Sequence, residues 1–485
     1  MKDMNRTYKL IKVLGRHNLF FLVMLVCPIF GFGQVDIKEE SQIDALFNGW
    51  NLDNHPGGVV GVKKSDEIIY LNAFGNASLE YGVPNNELTL FNIGSISKQF
   101  TAMGIVLLQQ RGVLSADDEV QKYFPEIPIF SNPITIKHLL HHTSGLRDFH
   151  ELMALAGWRG DDYRTNEDVM RLLQMQTDLN FKPGEQFMYS NTGYVVLVEI
   201  IENVTGEDFK VWMQNNVFEP LQMKNTYVAD NNQHIVSNRA TSYYHSHEKV
   251  FEMAQAYWAY TGAGNMYSTT EDLLKWAHNF YDPKTGWGQS FEVLQTLGGL
   301  NNGRPINYAF GIYIDEMFGR KRIQHAGVVG GYRTFLCIYP EEELSVVVLT
   351  NFSNAPFGTR ADDIAGILLS EVRGKAEPLV HSVNQKEAVQ QESSVELSDF
   401  TGTFYSPEID THYTFYQEGD TLKCSHARHG ELTMEMAGPD VFKSSWPLET
   451  IKMSRNQRGD VIGLHISTGR VKNLWFKKIN SLSIN

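Results

Sequence analysis

Three things are scarce in this 485-residue chain: cysteine, basic side chains and long apolar runs. Its three cysteines are Cys27, Cys337 and Cys424, too few for a disulfide framework. Cys27 falls in the N-terminal leader and the other two in segments of different character, so two buried thiols are expected rather than a bridge. Lysine and arginine total 42 against 56 acids, a formal charge of −14, which disfavours nucleic acid as a partner. Leu19 to Phe30 is an apolar run shorter than the roughly 20 residues that cross a bilayer, and no other stretch competes with it. No stable membrane span is expected. There is no Gly-x-Ser-x-Gly elbow, phosphate-binding loop, dinucleotide fingerprint or His-Glu-x-x-His pair. His141-His142 and His245-Ser246-His247 lack the cysteine or carboxylate pattern of a metal site, so neither metal nor cofactor is implied.

What is present begins with Lys2, Arg6, Lys9, Lys12 and Arg16 ahead of that apolar run, followed by Gly31 and Gly33 before Gln34. This reads as a signal peptide over residues 1–33 and a periplasmic or secreted protein. Bulky Val26 argues against a lipid anchor on Cys27.

Residues 36–374 alternate helical and strand-like patterns without a repeat. Gly58–Val62 and Glu67–Asn72 suit a hairpin, as do Tyr332–Tyr339 and Leu344–Thr350, the last apolar enough to be buried on both faces. Helical patterns fill the middle, which predicts an α/β (α+β) domain with an antiparallel sheet flanked by helices. Residues 375–396 have the polar composition of a linker. Residues 397–485 carry only short strands and turns, among them Thr403–Tyr405, His412–Tyr416, Thr421–Cys424 and Val461–Ile466, as in a small all-β sandwich or barrel.

Chemistry concentrates in the first domain. Ser95 and Lys98 are three apart, and Phe100, Met103, Val106, Leu107 and Gln110 carry a helical stripe behind them up to Gly112. On one face of a helix start, a serine hydroxyl gains from free N–H groups and from a desolvated lysine acting as base. The spacing also arises by chance, and Ser246-His247-Glu248-Lys249 repeats it without the stripe, as a solvated loop would. Tyr189-Ser190-Asn191 follows the turn signal Lys182-Pro183-Gly184-Glu185 and precedes a helical run from Val195 to Ile201 that ends at Gly206. It offers a phenol to proton traffic and an amide to a substrate carbonyl, or else a helix cap beside a packed tyrosine. Tyr70-Leu71-Asn72 has the same spacing inside a strand. His325-Ala326-Gly327 leaves a groove beside a strand edge where backbone N–H groups can face an oxyanion. His55-Pro56-Gly57 matches it but loses an N–H to proline.

In this order Ser95-x-x-Lys98, Tyr189-x-Asn191 and His325-x-Gly327 resemble the serine β-lactamase and penicillin-binding superfamily, in its class C-like branch. Phe91-Asn92-Ile93-Gly94, Ile136 to Leu146, Pro183-Gly184-Glu185 and Gly262 to Ser268 extend the likeness. The resemblance implies Ser95 as nucleophile, with Lys98 and Tyr189 handling its proton. It further implies the backbone N–H groups of Ser95 and Val328 as the oxyanion hole, and Asn191, His325 and Gly327 at the substrate. Ser467 to Phe476 resembles the lipocalin-like β domain appended to such hydrolases, which implies a role in packing, substrate access or partner binding and no assigned chemistry. Where β-lactamases of this branch carry Lys-Thr-Gly, this chain has His325-Ala326-Gly327, which turns the expectation toward D-peptidases, D-aminopeptidases and esterases. The expected activity is acyl-enzyme hydrolysis on Ser95 of D-amino-acid peptides, amides or small esters, peptidoglycan fragments included. The alternatives are a β-lactamase proper and a penicillin-recognising sensor with little turnover.

Overall fold

The computed structural model describes residues 36–130, 132–246, 250–254, 256–369 and 396–479. The expected signal peptide, nearly all of the linker and residues 247–249 of the second Ser-x-x-Lys spacing lie outside the described residues.

Both predicted hairpins form, and they meet in one antiparallel sheet. Its strands are β1 (Gly58–Lys64), β2 (Glu67–Phe74), β3 (Tyr313–Met317), β4 (Arg320–Val329), β5 (Tyr332–Tyr339) and β6 (Leu344–Thr350). Their spatial order is β3-β4-β5-β6-β1-β2. All seven residues of β6 are buried because the sheet is covered twice. Val346 and Val348 join Ile43 of α1 (Ile37–Leu46), Phe47 just after it and Ile364 of a helix near the end of the first domain (Phe357–Leu368). Val347 and Leu349 face the larger core with Met103 and Leu274. The fold is thus the expected mixed α/β sheet with helices on it.

Helix α2 (Ser97–Gln110) runs through that larger core with apolar neighbours on nearly every side. Phe100 alone packs its ring 4.3 Å from that of Trp276 and 5.7 Å from that of Phe218, centroid to centroid. Such close packing holds the residues at the helix start in place. Helix α3 (Phe149–Leu155) and helix α4 (Asn191–Thr205, ending on left-handed Gly206 at φ 69°) complete the frame around it.

Residues 402–479 form a closed eight-stranded barrel filled by Phe404, Phe415, Phe442 and Phe476. The four strands named from sequence are among the eight. The last two, β7 (Val461–Thr468) and β8 (Val471–Ile479), are joined by a turn at Gly469-Arg470. The barrel sits on α3 and the loop before it. Buried Arg147 pairs with Glu408 at 2.7 Å, Tyr413 donates its hydroxyl to Leu155 O at 2.8 Å, and Asn180 brackets the β7–β8 turn. Cys337 and Cys424 are both buried, one in the sheet and one in the barrel. Among the described residues no helix is long and apolar enough to cross a membrane.

Candidate active site

Ser95 stands on a single turn of 3-10 helix, Gly94–Ile96, that leads directly into α2, so Lys98 lies one turn on and faces the same way. Two glycines allow this turn to press against β4. Gly94 has φ 51°, and a Cβ on it would lie 2.7 Å from Val328 N; a Cβ on Gly327 would lie 2.0 Å from Ile93 O. Strand β3 pairs with β4 only from Arg320 to Gln324, which leaves the stretch beyond it uncovered on that edge. His325-Ala326-Gly327 lies inside β4 itself, where the end of the strand flanks the serine.

The Lys98 amine is fully buried and has three partners: Ala263 O at 2.6 Å, Asn191 Oδ1 at 2.8 Å and Ser95 Oγ at 3.1 Å. Burial holds it well below the usual lysine value of 10.5, against the pull of the Asp148 carboxylate. In its neutral form the amine has two N–H groups and one lone pair. The carbonyl of Ala263 and the amide oxygen of Asn191 only accept, so they take both N–H groups. The lone pair is left for the one partner able to donate, the Ser95 hydroxyl.

Asp148 makes the Asn191 orientation unambiguous. Its Oδ2 accepts from Asn191 Nδ2 at 2.9 Å and Asn191 N at 2.6 Å, which turns the amide oxygen toward Lys98. Asp148 is wholly buried at the start of α3, where its Oδ1 accepts from His150 N. Although burial works to raise its pKa, the Arg470 guanidinium and other nearby donors bring it below the usual aspartate value.

Tyr189 lies on the loop before α4, its ring centroid 4.8 Å from the Lys98 amine and 4.1 Å from that of His142. Burial raises its phenol well above 10 despite contact with Ser95, so the group is protonated across the neutral range. His142, at φ 57°, accepts from Ser190 N through Nδ1 at 3.1 Å, and burial keeps its ring neutral. The His-Thr-Ser-Gly segment therefore supports Tyr189, and His141 meets Tyr308 O at 3.2 Å instead of sharing a ligand with its neighbour.

His325 sits behind Tyr189. Its Nδ1 donates to Ala326 O at 2.7 Å and its Nε2 meets the Tyr308 hydroxyl at 3.3 Å. Burial, helped by Lys98, lowers it to about 3, and a neutral ring offers no cation to a carboxylate. Of the residues singled out from sequence, Ser95, Tyr189, Asn191 and Val328 line one cavity of about 320 Å³, with Lys98 and Gly327 behind its wall.

Other cavity residues were not singled out from sequence. His150, Trp258 and Tyr260 form an aromatic wall. Arg164 stacks on Trp258 at 5.1 Å and donates to His150 Nδ1 at 2.9 Å, so the imidazole carries its proton on Nε2, toward the Tyr260 hydroxyl at 3.2 Å. The C-terminal barrel, assigned no chemistry from sequence, contributes Arg470. From the β7–β8 turn its side chain enters the cavity, 5.9 Å from the Tyr189 ring, and pairs with Asp148 at 3.2 Å and Glu151 at 2.9 Å. Arg470 lies within the Ser467–Phe476 segment noted from sequence, but nothing local marks its place in the cavity, because its partners lie about 320 positions away.

Comparison with known proteins identifies the family. The family model described as Beta-lactamase matches residues 46–369. "Penicillin-binding protein 4*" of Bacillus subtilis is 31% identical over 331 residues, covering 65% of this chain and 72% of that one. A "D-aminopeptidase" of Gluconobacter oxydans is 28% identical over 313 residues, covering 64% of this chain and 59% of its own length. Among solved structures, an octameric penicillin-binding protein homologue from Pyrococcus abyssi superposes with a TM-score of 0.61 at 24% identity, over 90% of this chain and 98% of that one. The barrel as well as the sheet domain therefore has a counterpart in overall fold. On the extent of the family match and the geometry around Ser95, the chain belongs to the beta-lactamase family of serine hydrolases.

Proposed function

We propose that this protein hydrolyses D-amino-acid peptides, amides or small esters through an acyl-enzyme on Ser95. The observation that carries the reading is the Lys98 amine, with both N–H groups committed and its lone pair facing Ser95 Oγ. As substrate binds, the Ser95 proton passes to Lys98 Nζ while Oγ attacks the carbonyl carbon. The backbone N–H groups of Ser95 and Val328 hold the resulting oxyanion. The tetrahedral species collapses with its leaving amine or alcohol protonated by the Tyr189 hydroxyl, which regains a proton from Lys98. A water molecule then gives a proton to Lys98 and attacks the ester carbon, and Ser95 Oγ departs with that proton.

Support for the substrate class comes from two directions. The Gluconobacter relative is named a D-aminopeptidase. The neutral His325 lacks the permanent charge of a lysine at the third motif, which argues against efficient β-lactam hydrolysis. The test is labelling with a fluorophosphonate, followed by turnover of D- and L-alanine p-nitroanilides, p-nitrophenyl acetate and nitrocefin. Labelling of the wild type but not of Ser95→Ala, with D-anilide or ester turnover above nitrocefin turnover, is the expected result. Equal labelling of both proteins removes Ser95 from the mechanism, and dominant nitrocefin turnover makes the protein a β-lactamase proper.

A further inference from the structure

The barrel brings one formal charge into the cavity, and it is positive. The turn that carries Arg470 is tied to the sheet domain by its backbone: Arg470 O accepts from Asn180 Nδ2 at 2.8 Å, and Lys472 N donates to Asn180 Oδ1 at 2.7 Å. The guanidinium is held from behind. Nε donates to Glu151 Oε1 at 3.0 Å, and Nη2 and Nη1 form ion pairs with Glu151 Oε1 at 2.9 Å and Asp148 Oδ2 at 3.2 Å. These contacts engage at most three of the five N–H groups of an arginine, so each terminal nitrogen keeps at least one. The Arg470 side chain is 30% exposed, whereas those of Asp148 and Glu151 are 0% and 10% exposed.

No carboxylate lines the cavity beside Ser95 among the described residues. Asp148 and Glu151 lie beneath Arg470 and do not reach the opening. The cavity's imidazole, His150, is lowered by burial to about 3 and is uncharged. A substrate therefore meets a guanidinium with donors to spare, in the same cavity as Tyr189 and the nucleophile, and no carboxylate among the lining residues.

We propose that Arg470 is a specificity-determining residue, supplied by the barrel, that selects substrates carrying a carboxylate near the reacting carbonyl. This rests on the reading of Ser95 as nucleophile and narrows it. A planar fork with free N–H groups on both terminal nitrogens suits a carboxylate. The carboxylate comes from either side of the scissile bond, as a substituent of the acyl part or of the leaving group.

Two matched substrate pairs separate these sources. p-Nitrophenyl hemisuccinate against p-nitrophenyl butyrate places the charge on the acyl side, and 3-carboxyphenyl acetate against phenyl acetate places it on the leaving group. The quantity read is the ratio of kcat/KM for the anionic to the neutral member, in the wild type, Arg470→Met and Arg470→Lys. A charge-assisted hydrogen bond predicts a fall in that ratio of about 10- to 100-fold in Arg470→Met for at least one pair, with Arg470→Lys in between. Arg470→Lys carries the test alone if Arg470→Met does not fold, since its ratio must still drop below that of the wild type. Ratios that agree within about threefold across the folded proteins, for both pairs, overturn the proposal. In that case turnover and Ser95 labelling persist, whereas failure of the nucleophile reading removes both.

Discussion

Replacing Glu408 by alanine tests how the barrel is held against the sheet domain, and the structure sets the size of the effect. The Arg147–Glu408 pair is 2.7 Å long, with side chains 1% and 4% exposed. The same carboxylate oxygen accepts from Thr177 N at 2.9 Å, while Arg147 also donates to Gln176 Oε1 and to Lys472 O. Without the carboxylate, a buried guanidinium keeps only neutral acceptors. Breaking a buried pair in this way costs about 3–5 kcal/mol. A second pair across the same interface provides the comparison: Arg428–Asp162, with side chains 42% and 27% exposed. Its loss in Asp162→Ala is expected to cost no more than about 1 kcal/mol. The double variant Arg147→Met/Glu408→Leu removes both desolvated charges and is expected to recover most of what Glu408→Ala loses. Urea unfolding of the full chain, followed by tryptophan fluorescence, measures all four proteins. A loss below about 1 kcal/mol in Glu408→Ala, or a double variant as unstable as the single one, refutes the assignment of this pair as the charged lock of the interface.

Two further predictions concern Lys98. Its amine is held below 10.5 in the folded chain, chiefly by burial, so as pH falls below 10.5 the unfolded chain takes up a proton that the folded one does not. The wild type then loses about 1.4 kcal/mol per pH unit relative to Lys98→Met until the folded amine itself protonates; urea midpoints over a pH series that keep a constant difference exclude this. For catalysis the sign is the same: the neutral amine is the working form, so kcat/KM falls as acid protonates it. Lys98→Arg, charged at every pH, is expected to lose at least about 10³-fold in kcat/KM on p-nitrophenyl acetate, and substantial activity in that variant would assign the base elsewhere.

Much of the site was legible in the chain because its parts are short and local. Ser95 and Lys98 need only one helical turn between them, and the apolar stripe from Phe100 to Gln110 announced that turn. Asn191 opens a helix whose end at Gly206 was equally visible. The decoy Tyr70-Leu71-Asn72 is now explained by packing: Tyr70 and Asn72 both donate to Asp44 from β2, at 2.6 and 3.2 Å.

The sequence alone determined which side chains could carry the chemistry, since nucleophile, base and turn glycines are properties of residue type and spacing. Tertiary structure decided their protonation and their company. Burial, which depends on every element packed around a group, lowers the Lys98 amine, keeps Tyr189 a phenol and leaves His325 an uncharged ring. Only the docking of the barrel, through contacts some 260 to 320 positions apart in the chain, brings Arg470 to Asp148, Glu151 and the cavity beside Ser95. No periodicity in a linear chain encodes such a contact, because the partners become neighbours only after both domains have folded.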